Sequence, residues 1–247
     1  MSKIAIIAAM EREVAPLVRN WKKDVLSSDR KFTMFESGDV IAVVSGIGCR
    51  NAELAARAVV EQSQPSALMS VGLAGALIRS LKVGSIFTPS VVVDAADGAE
   101  YRCAAEGGRV SGGLLVSSGN IAGAEAKQEL VNHFHALVVD MEAAGVARVA
   151  QQERIGFRCV KAISDEADFA MPPMARFIDA NGDFQSGKFA AWAALRPWQW
   201  ATVAALARNS RRAARALCDW LEKDVTAKLR SGEVVTLDRA EFSEVKR

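Results

Sequence analysis

The sequence lacks the features typical of a secreted, metal-binding or nucleic-acid-binding protein. Its four cysteines include no CxxC pair, so neither a disulfide framework nor a zinc knuckle is predicted. The two histidines, His133 and His135, form a lone HxH motif, and we predict no metal and no cofactor. Charges nearly balance, with 31 Lys and Arg against 29 Asp and Glu, which gives no electrostatic case for a nucleic-acid partner. We therefore expect a small-molecule ligand.

The amino terminus also lacks a long apolar run. Only about seven apolar residues precede Glu11, too few for a signal peptide or a transmembrane segment. With four unpaired thiols, this predicts a protein of the reducing cytoplasm. The tryptophans Trp192, Trp198 and Trp200 are interpreted as packing residues, with a peripheral membrane contact as the alternative.

Half of the 247 residues are hydrophobic, enough for one sizeable core. Alanine-rich segments with helical spacing lie between several short apolar runs that are typical of buried strands. The sequence therefore predicts an α/β protein, a three-layer α/β/α sandwich around a mixed, largely parallel sheet. The predicted strands are 3–9, 40–46, 66–72, 85–94, 113–119, 136–141 and 157–164.

We predict a single domain over residues 1–230. Within it, 165–195 mixes acids, proline, glycine and phenylalanine without a steady period, which indicates an irregular, lid-like loop. A long amphipathic helix is expected to follow, beginning near Trp198. The charged residues 231–247 are predicted to be a peripheral tail.

Glycines and carboxylates follow the predicted strands. In open α/β sheets, ligands bind beyond the carboxyl ends of the strands, where glycines let the backbone approach a ligand and buried acids are costly unless used. The sequence thus predicts a polar pocket with several carboxylates and no obvious cation to neutralise them. The strand ends are Met10 to Glu13, Ser45 to Gly48, Gly72 to Gly75, Met141 to Glu142 and Ser164 to Asp165.

Glu142 is the least expected of these acids. With Val146 and Val149 it falls at helical spacing, so its carboxylate is predicted to share the packing face of a helix. The other acids also have structural interpretations, since Glu13 suits the first turn of a helix and Asp165 suits a helix cap. The glycine-rich stretches SGIGCR and VGLAGA are equally explained as tight turns.

Five stretches spread over residues 4–168 carry a specific resemblance: AIIAAMEREV, SGIGCRNAELAA, VGLAGAL, VDMEAAGVA and VKAISDEAD. In this order they resemble the nucleoside phosphorylase and nucleosidase superfamily, especially its methylthioadenosine/S-adenosylhomocysteine nucleosidase branch. The Trp-rich carboxyl-terminal part is not typical of that branch. It looks more like the nucleosidase of hopanoid biosynthesis, which removes adenine from an adenosyl group attached to a triterpene.

The resemblance implies a catalytic set and a homo-oligomer such as a homodimer. Glu13 is implied to hold and activate the water, Met141 and Glu142 to hold the ribose, and Asp165 to act on the base. Physical chemistry supports this division, because an anion stabilises a ribosyl cation and a positioned acid helps the purine to leave. The predicted substrate-binding set is Met10, Ile47, Gly48, Leu73, Ala74, Gly75, Ile121, Met141 and Ser164.

The nucleophile is predicted to be water. Phosphorylases of this superfamily place an arginine where this chain has Ser70, and their Gly-Asp-Pro-x-x-Arg phosphate loop is replaced here by AAMEREV. Because Glu13 would repel phosphate, we favour a nucleosidase. A phosphorylase that uses Arg12 and Arg50 is the alternative, and a catalytically silent nucleoside-binding protein is a second one.

Two departures from the resemblance concern the substrate. Leu73 stands where the methylthioadenosine enzymes have a serine, and Ile121 where an aromatic residue would stack on the base. Large apolar residues are frequent in the predicted lid. We therefore expect an adenosine-type nucleoside with an apolar 5′ substituent.

Overall fold

The computed structural model describes residues 3–28, 30–104 and 112–231. Within these residues, eleven strands form one sheet. They are β1 (Ile4–Ala8), β2 (Lys22–Ser27), β3 (Lys31–Ser37), β4 (Val40–Val44), β5 (Ala67–Ala76), β6 (Ile86–Phe87), β7 (Val91–Asp94), β8 (Glu100–Arg102), β9 (Leu114–Ser117), β10 (Val138–Asp140) and β11 (Gly156–Asp165).

Six α-helices accompany the sheet within the described residues, together with two short 3-10 turns at Met174–Phe177 and Pro197–Gln199. The helices are α1 (Glu11–Val18), α2 (Cys49–Ser63), α3 (Ala124–Phe134), α4 (Ala143–Glu153), α5 (Ser186–Ala194) and α6 (Trp200–Ser231).

Alternation along β1 shows how the layers are built. Ala5 and Ile7 belong to one buried cluster, together with residues of α2 and α4. Ile6 and Ala8 belong to a second cluster, which includes Val14 of α1 and residues of α6. Since successive side chains of a strand point to opposite faces, α2 with α4 and α1 with α6 cover the two sides of the sheet. The predicted α/β/α sandwich is confirmed.

Strand β5 lies at the centre of the sheet. It pairs in parallel with β1 and β11, and the end of the same strand pairs in antiparallel with β10. Among the described residues, five strand pairings are parallel and five are antiparallel. The sheet is mixed, as predicted, with an even balance between the two orientations.

Two features of the sheet differ from the prediction. The antiparallel hairpin of β2 and β3 was not predicted, because Leu26 is the one buried residue of β2 and the remaining side chains of this edge strand are polar or exposed. The predicted strand 85–94 is two strands, β6 and β7, which pair with β11 and β9. Pro89 lies between them and has no N–H to donate to a sheet.

The segment 165–195 is more regular than predicted. It contains the 3-10 turn at Met174–Phe177, a bridge between Ile178 and Phe184, and helix α5 in its last third. Phe177 packs edge-on against Phe189, at 5.3 Å between ring centroids. The irregular part is therefore shorter than 165–195, and it is held by its own aromatic contacts.

The long helix predicted near Trp198 begins at Trp200. Within the described residues, no helix combines the length and apolarity needed to cross a membrane. The predicted charged tail, 231–247, lies outside the described residues apart from Ser231, the last described residue of α6.

Candidate active site

A cavity of about 150 Å³ lies at the carboxyl ends of β1, β5, β10 and β11. Eleven of the predicted site residues line it, although they come from distant parts of the chain. Gly48 does not line the cavity, but its backbone N–H donates to a carboxylate that does. The eleven lining residues are Met10, Glu13, Ile47, Leu73, Ala74, Gly75, Ile121, Met141, Glu142, Ser164 and Asp165.

Glu13 lies in the first turn of α1 and is only 2% exposed. Its carboxylate accepts hydrogen bonds from the backbone N–H groups of Met10, at 3.2 Å, and Leu73, at 3.5 Å. The first bond caps the helix, so the structural interpretation of Glu13 also holds. A Cβ on Gly72 would lie 3.1 Å from the same carboxylate, which explains the glycine there. Burial raises the pKa of Glu13, and nearby Lys161 only partly offsets this.

Glu142 directly precedes α4 and does not lie within it, which corrects the predicted helical placement. Its carboxylate is instead oriented by two backbone N–H donors, from Gly48 at 2.9 Å and Met141 at 3.3 Å. Burial, and then repulsion by Asp140, raise the pKa of Glu142 to about 7. The inward-pointing acid is thus held by the backbone, at the edge of the cavity.

Beneath these two acids lies a buried ion pair. The Nζ of Lys161 lies 2.8 Å from Asp140 Oδ2 and donates to Ser70 Oγ at 3.0 Å. Asp140 also accepts hydrogen bonds from the Ser117 hydroxyl, at 2.6 Å, and the Ala143 N–H, at 2.8 Å. Although burial acts to lower the pKa of Lys161, the Asp140 carboxylate raises it above its ordinary value. Lys161 therefore stays a fixed positive charge below the two acids.

A second buried ion pair lies in the wall of the cavity. Asp165 ends β11 and is 4% exposed, and the Nζ of Lys127, on α3, lies 2.6 Å from its Oδ2. The Ser164 hydroxyl donates to the other oxygen of Asp165 at 2.8 Å. A Cβ on Gly75 would lie 2.9 Å from Asp165 Oδ2 and 3.3 Å from Lys127, so a glycine is needed for this pair to pack.

The expectation of a pocket without cations was therefore wrong. Lys161 is marked in the sequence by one signal, a lysine inside the otherwise apolar strand run FRCVKAIS. Lys127 has no such signal, because it sits in a polar helix and meets Asp165 only through the tertiary fold. Within the described residues, no cluster of His, Cys, Asp or Glu is arranged to hold a metal ion.

An apolar groove of about 480 Å³ adjoins the cavity between α1, α5 and α6. It continues from the cavity wall over residues that line both spaces. Arg12 stands at this junction with its guanidinium 5.5 Å from the Phe184 ring centroid. The shared residues are Arg12, Leu73, Met174, Phe184, Leu206 and Ser210.

The raised pKa of Glu142 predicts how stability depends on pH. A carboxylic acid whose pKa is higher in the folded than in the unfolded protein stabilises the fold below its unfolded value and loses this contribution as pH rises through the folded value. The interval from 4.5 to about 7 corresponds to about 3 kcal/mol. We therefore expect the Tm of the free protein to fall by several degrees between pH 5 and pH 8.

Thermal unfolding of wild-type protein and Glu142→Gln at both pH values tests this. The Tm of the variant should fall less than that of the wild type between pH 5 and pH 8. Part of the fall should remain, because the pKa of Glu13 is also raised. A wild-type Tm that stays constant or rises between pH 5 and pH 8 would contradict the raised pKa values of Glu142 and Glu13 in the folded protein.

Comparison with known proteins places this chain in a protein family. The family model described as Phosphorylase superfamily matches residues 3–113 and 102–195, which is most of the chain. The chain therefore belongs to the phosphorylase superfamily.

Particular relatives come from one branch of that class. The 5′-methylthioadenosine/S-adenosylhomocysteine nucleosidase of Staphylococcus epidermidis is 29% identical over 198 residues, which cover 67% of this chain and 87% of that protein. The enzyme of the same name from Neisseria meningitidis, in complex with methylthio-immucillin-A, has a TM-score of 0.68 at 20% identity and covers 92% of this chain and 100% of that chain.

Two further solved structures share the fold. The 5′-methylthioadenosine nucleosidase of Arabidopsis thaliana has a TM-score of 0.73 at 17% identity, covering 95% of this chain and 98% of that chain. The futalosine hydrolase of Helicobacter pylori has a TM-score of 0.67 at 18% identity, covering 92% and 98%.

Proposed function

We propose that this chain is a nucleosidase that hydrolyses the N-glycosidic bond of an adenosine-type nucleoside and releases adenine. One observation carries the proposal: three buried carboxylates, Glu13, Glu142 and Asp165, surround a single cavity, and each has a different environment. The names of the relatives, which are nucleosidases acting on methylthioadenosine, support the same substrate class.

Each carboxylate suits a different part of the reaction. Breaking a ribosyl C–N bond leaves positive charge on the sugar, which Glu142 would stabilise as an anion. Glu13, fixed by two backbone donors, would accept the proton of the attacking water. Asp165 lies in the cavity wall next to Lys127 and would act on the departing base.

The surroundings of Glu13 favour water over phosphate as the nucleophile. A phosphate would need free cations, but Lys127 and Lys161 are each bound to an aspartate within the described structure. Arg50 is exposed on α2 and is not among the residues that line the cavity. Arg12, at the junction with the groove, is the feature that keeps a phosphorylase as the alternative.

The apolar groove favours a large 5′ substituent. Leu73, one of the shared residues, joins the groove to the part of the cavity that contains Glu13. Much of the groove beyond it is lined by apolar side chains, among them Pro16, Phe189 and Val203. Such a surface would bind an alkyl or polycyclic 5′ group, and a triterpene-like group, as in hopanoid biosynthesis, is the largest candidate.

A series of 5′-alkylthioadenosines of increasing chain length tests the substrate class. We expect kcat/KM for adenine release to rise with each methylene by up to about fourfold, from ~0.8 kcal/mol per buried methylene. The variant Ala207→Trp, which narrows the groove, should end this rise at a shorter chain. A sharp fall of wild-type kcat/KM beyond the methylthio group would contradict a large 5′ substituent and indicate that the substrate is methylthioadenosine.

Three further properties stay predictions. A homo-oligomer and a cytoplasmic location rest on the sequence resemblance and the cysteine pattern. For a peripheral membrane contact, the surface to examine is formed by Leu195, Trp198 and Trp200, which are 77%, 72% and 57% exposed. A catalytically silent binding protein is disfavoured because all three carboxylates are retained at the cavity.

A further inference from the structure

Charge is unevenly distributed along this nearly balanced chain. Between Asp183 and Asp219 the sequence contains six lysines and arginines and no acidic residue. Five of these cations are exposed, and the sixth is half-buried. Within the residues that the structure describes, none of the six forms an ion pair with an acidic side chain. They are Lys188, Arg196, Arg208, Arg211, Arg212 and Arg215.

Large apolar side chains are exposed in the same part of the chain. Leu195, Trp198 and Trp200 lie in the connection between α5 and α6 and at the first residue of α6. They are the three most exposed large hydrophobic side chains among the described residues. The indole N–H of Trp200 donates to the backbone carbonyl of Ala193 at 3.0 Å, so this ring is held in its exposed position.

The exposed apolar residues and several of the cations share one side of each helix. On α6, Trp200, Arg211 and Arg215 are separated by about three and four helical turns. On α5, Lys188 and Leu195 lie about two turns apart. We call the resulting surface the basic aromatic face. It is formed by Lys188, Leu195, Trp198, Trp200, Arg208, Arg211 and Arg215.

This combination of side chains fits the surface of an anionic lipid bilayer. Tryptophan is enriched at the membrane–water interface, where its apolar ring and polar N–H match the two sides of the boundary. Lysine and arginine are attracted by anionic headgroups. We propose that the basic aromatic face docks the protein on an anionic lipid bilayer. A soluble polyanion such as a nucleic acid would need the cations, but it would not need the exposed side chains of Leu195 and Trp198.

Docking brings the apolar groove next to a source of apolar substrate. Val203, one turn after Trp200, lines the groove together with Arg211 and Arg215. The groove continues past Leu73 into the cavity. A nucleoside with a large apolar 5′ group partitions into lipid, and the docked protein would take up that group from the bilayer without exposing it to water. This uptake rests on the proposed nucleosidase function, whereas the docking does not.

A contact between two copies of this chain is the competing explanation for the basic aromatic face. In a contact with two-fold symmetry the same surface meets itself. The face contains no acidic residue, so its cations would then lie opposite cations and repel one another. The charge of the face therefore favours an anionic partner over a second copy.

Cosedimentation with vesicles tests the docking. Wild-type protein is mixed with vesicles of phosphatidylcholine and phosphatidylglycerol in equal parts, and with vesicles of phosphatidylcholine alone. We expect strong binding to the anionic vesicles, weakened by high salt, and weak binding to the neutral ones. Leu195→Ser/Trp198→Ser should lower the partition coefficient by at least about tenfold. Lys188→Gln/Arg208→Gln should lower it by about fivefold for each cation removed.

The matched control is Lys22→Gln/Val25→Ser, which removes an exposed cation and an exposed apolar side chain from the edge strand β2. It should bind vesicles like the wild type. Equal wild-type binding to both kinds of vesicle, or equal losses in the control and the face variants, would overturn the docking. Binding to a DNA duplex that depends on Lys188 and Arg208, without binding to vesicles, would identify a soluble polyanion instead. A smaller oligomer in the face variants, with wild-type vesicle binding, would assign the face to a contact between copies.

Turnover separates the docking from the proposed function. Adenine release is measured from 5′-methylthioadenosine in solution and from 5′-hexadecylthioadenosine held in the anionic vesicles. The face variants change no residue that lines the cavity or the groove, so they should keep the wild-type kcat/KM on the soluble substrate and lose turnover of the vesicle-held one.

The remaining outcomes distinguish the two claims. Unchanged turnover of the vesicle-held substrate in the face variants would overturn uptake from the bilayer. Wild-type protein that binds anionic vesicles but releases adenine from neither substrate would overturn the proposed function, and the uptake with it, while the docking would stand. Wild-type protein that releases adenine from the soluble substrate but does not bind vesicles would overturn the docking alone.

Discussion

Replacing Glu142 by glutamine is expected to lower kcat for adenine release by about 10²- to 10³-fold while the fold is retained. The amide has the same shape and can still accept the Gly48 hydrogen bond, but it carries no negative charge for the ribosyl cation. Because the interaction is strongest in the transition state, kcat should fall more than substrate binding. Steady-state kinetics at pH 8, above the raised pKa of about 7, measures the loss against wild-type protein in which Glu142 is mostly ionised.

Glu153→Gln is the control for this variant. Glu153 is the exposed last residue of α4, the helix that Glu142 directly precedes, so the substitution makes the same chemical change at the far end of that helix without reaching the cavity. Its kcat should equal that of the wild type. A Glu142→Gln protein that folds and turns over near the wild-type rate would show that the Glu142 carboxylate is not the anion that stabilises the ribosyl cation.

Replacing Glu13 by glutamine is expected to lower kcat by about 10²- to 10⁴-fold, because the attacking water then has no base to accept its proton. Glutamine can still accept the Met10 N–H bond that caps α1, so the helix should form normally. The loss should be similar with adenine and with p-nitrophenolate as leaving group, since both reactions need the same water.

The control lies two residues earlier on the same helix. Glu11 is exposed and pairs with Lys23 at 3.1 Å, outside the cavity, so Glu11→Gln should leave kcat unchanged. Retention of most activity in Glu13→Gln would mean that the water is activated by another group. A loss confined to adenine release would instead assign Glu13 to the base.

The sequence predicts the sheet and the acids of the cavity well, and for one reason. Strand runs and the residues that follow them are local patterns, and the carboxyl ends of parallel strands meet at one edge of a sheet. Glu13 and Asp165, which follow strands parallel to β5, could therefore be expected at one place before any contact was known, whereas Glu142 follows β10, which runs antiparallel to β5. The residues that line the cavity agree with this expectation.

Features that depend on tertiary contacts could not be predicted in this way. The pairing of Lys127 with Asp165 joins residues 38 positions apart, and nothing in the polar sequence of α3 indicates it. The direction of Glu142 was expected from helical spacing, but it depends on the N–H of Gly48, 94 positions away. Strand β2 has too few apolar residues for a periodic signal and is defined by its pairing with β3.

The nucleophile is the central claim, and the sugar product tests it most directly. Wild-type protein is incubated with a 5′-alkylthioadenosine in buffer with and without saturating phosphate, and the sugar is identified by mass spectrometry. Hydrolysis predicts equal rates in both buffers and a free 5′-substituted ribose, with no sugar phosphate. A strict requirement for phosphate, with a 5-alkylthioribose 1-phosphate as product, would contradict water activation by Glu13 and identify a phosphorylase.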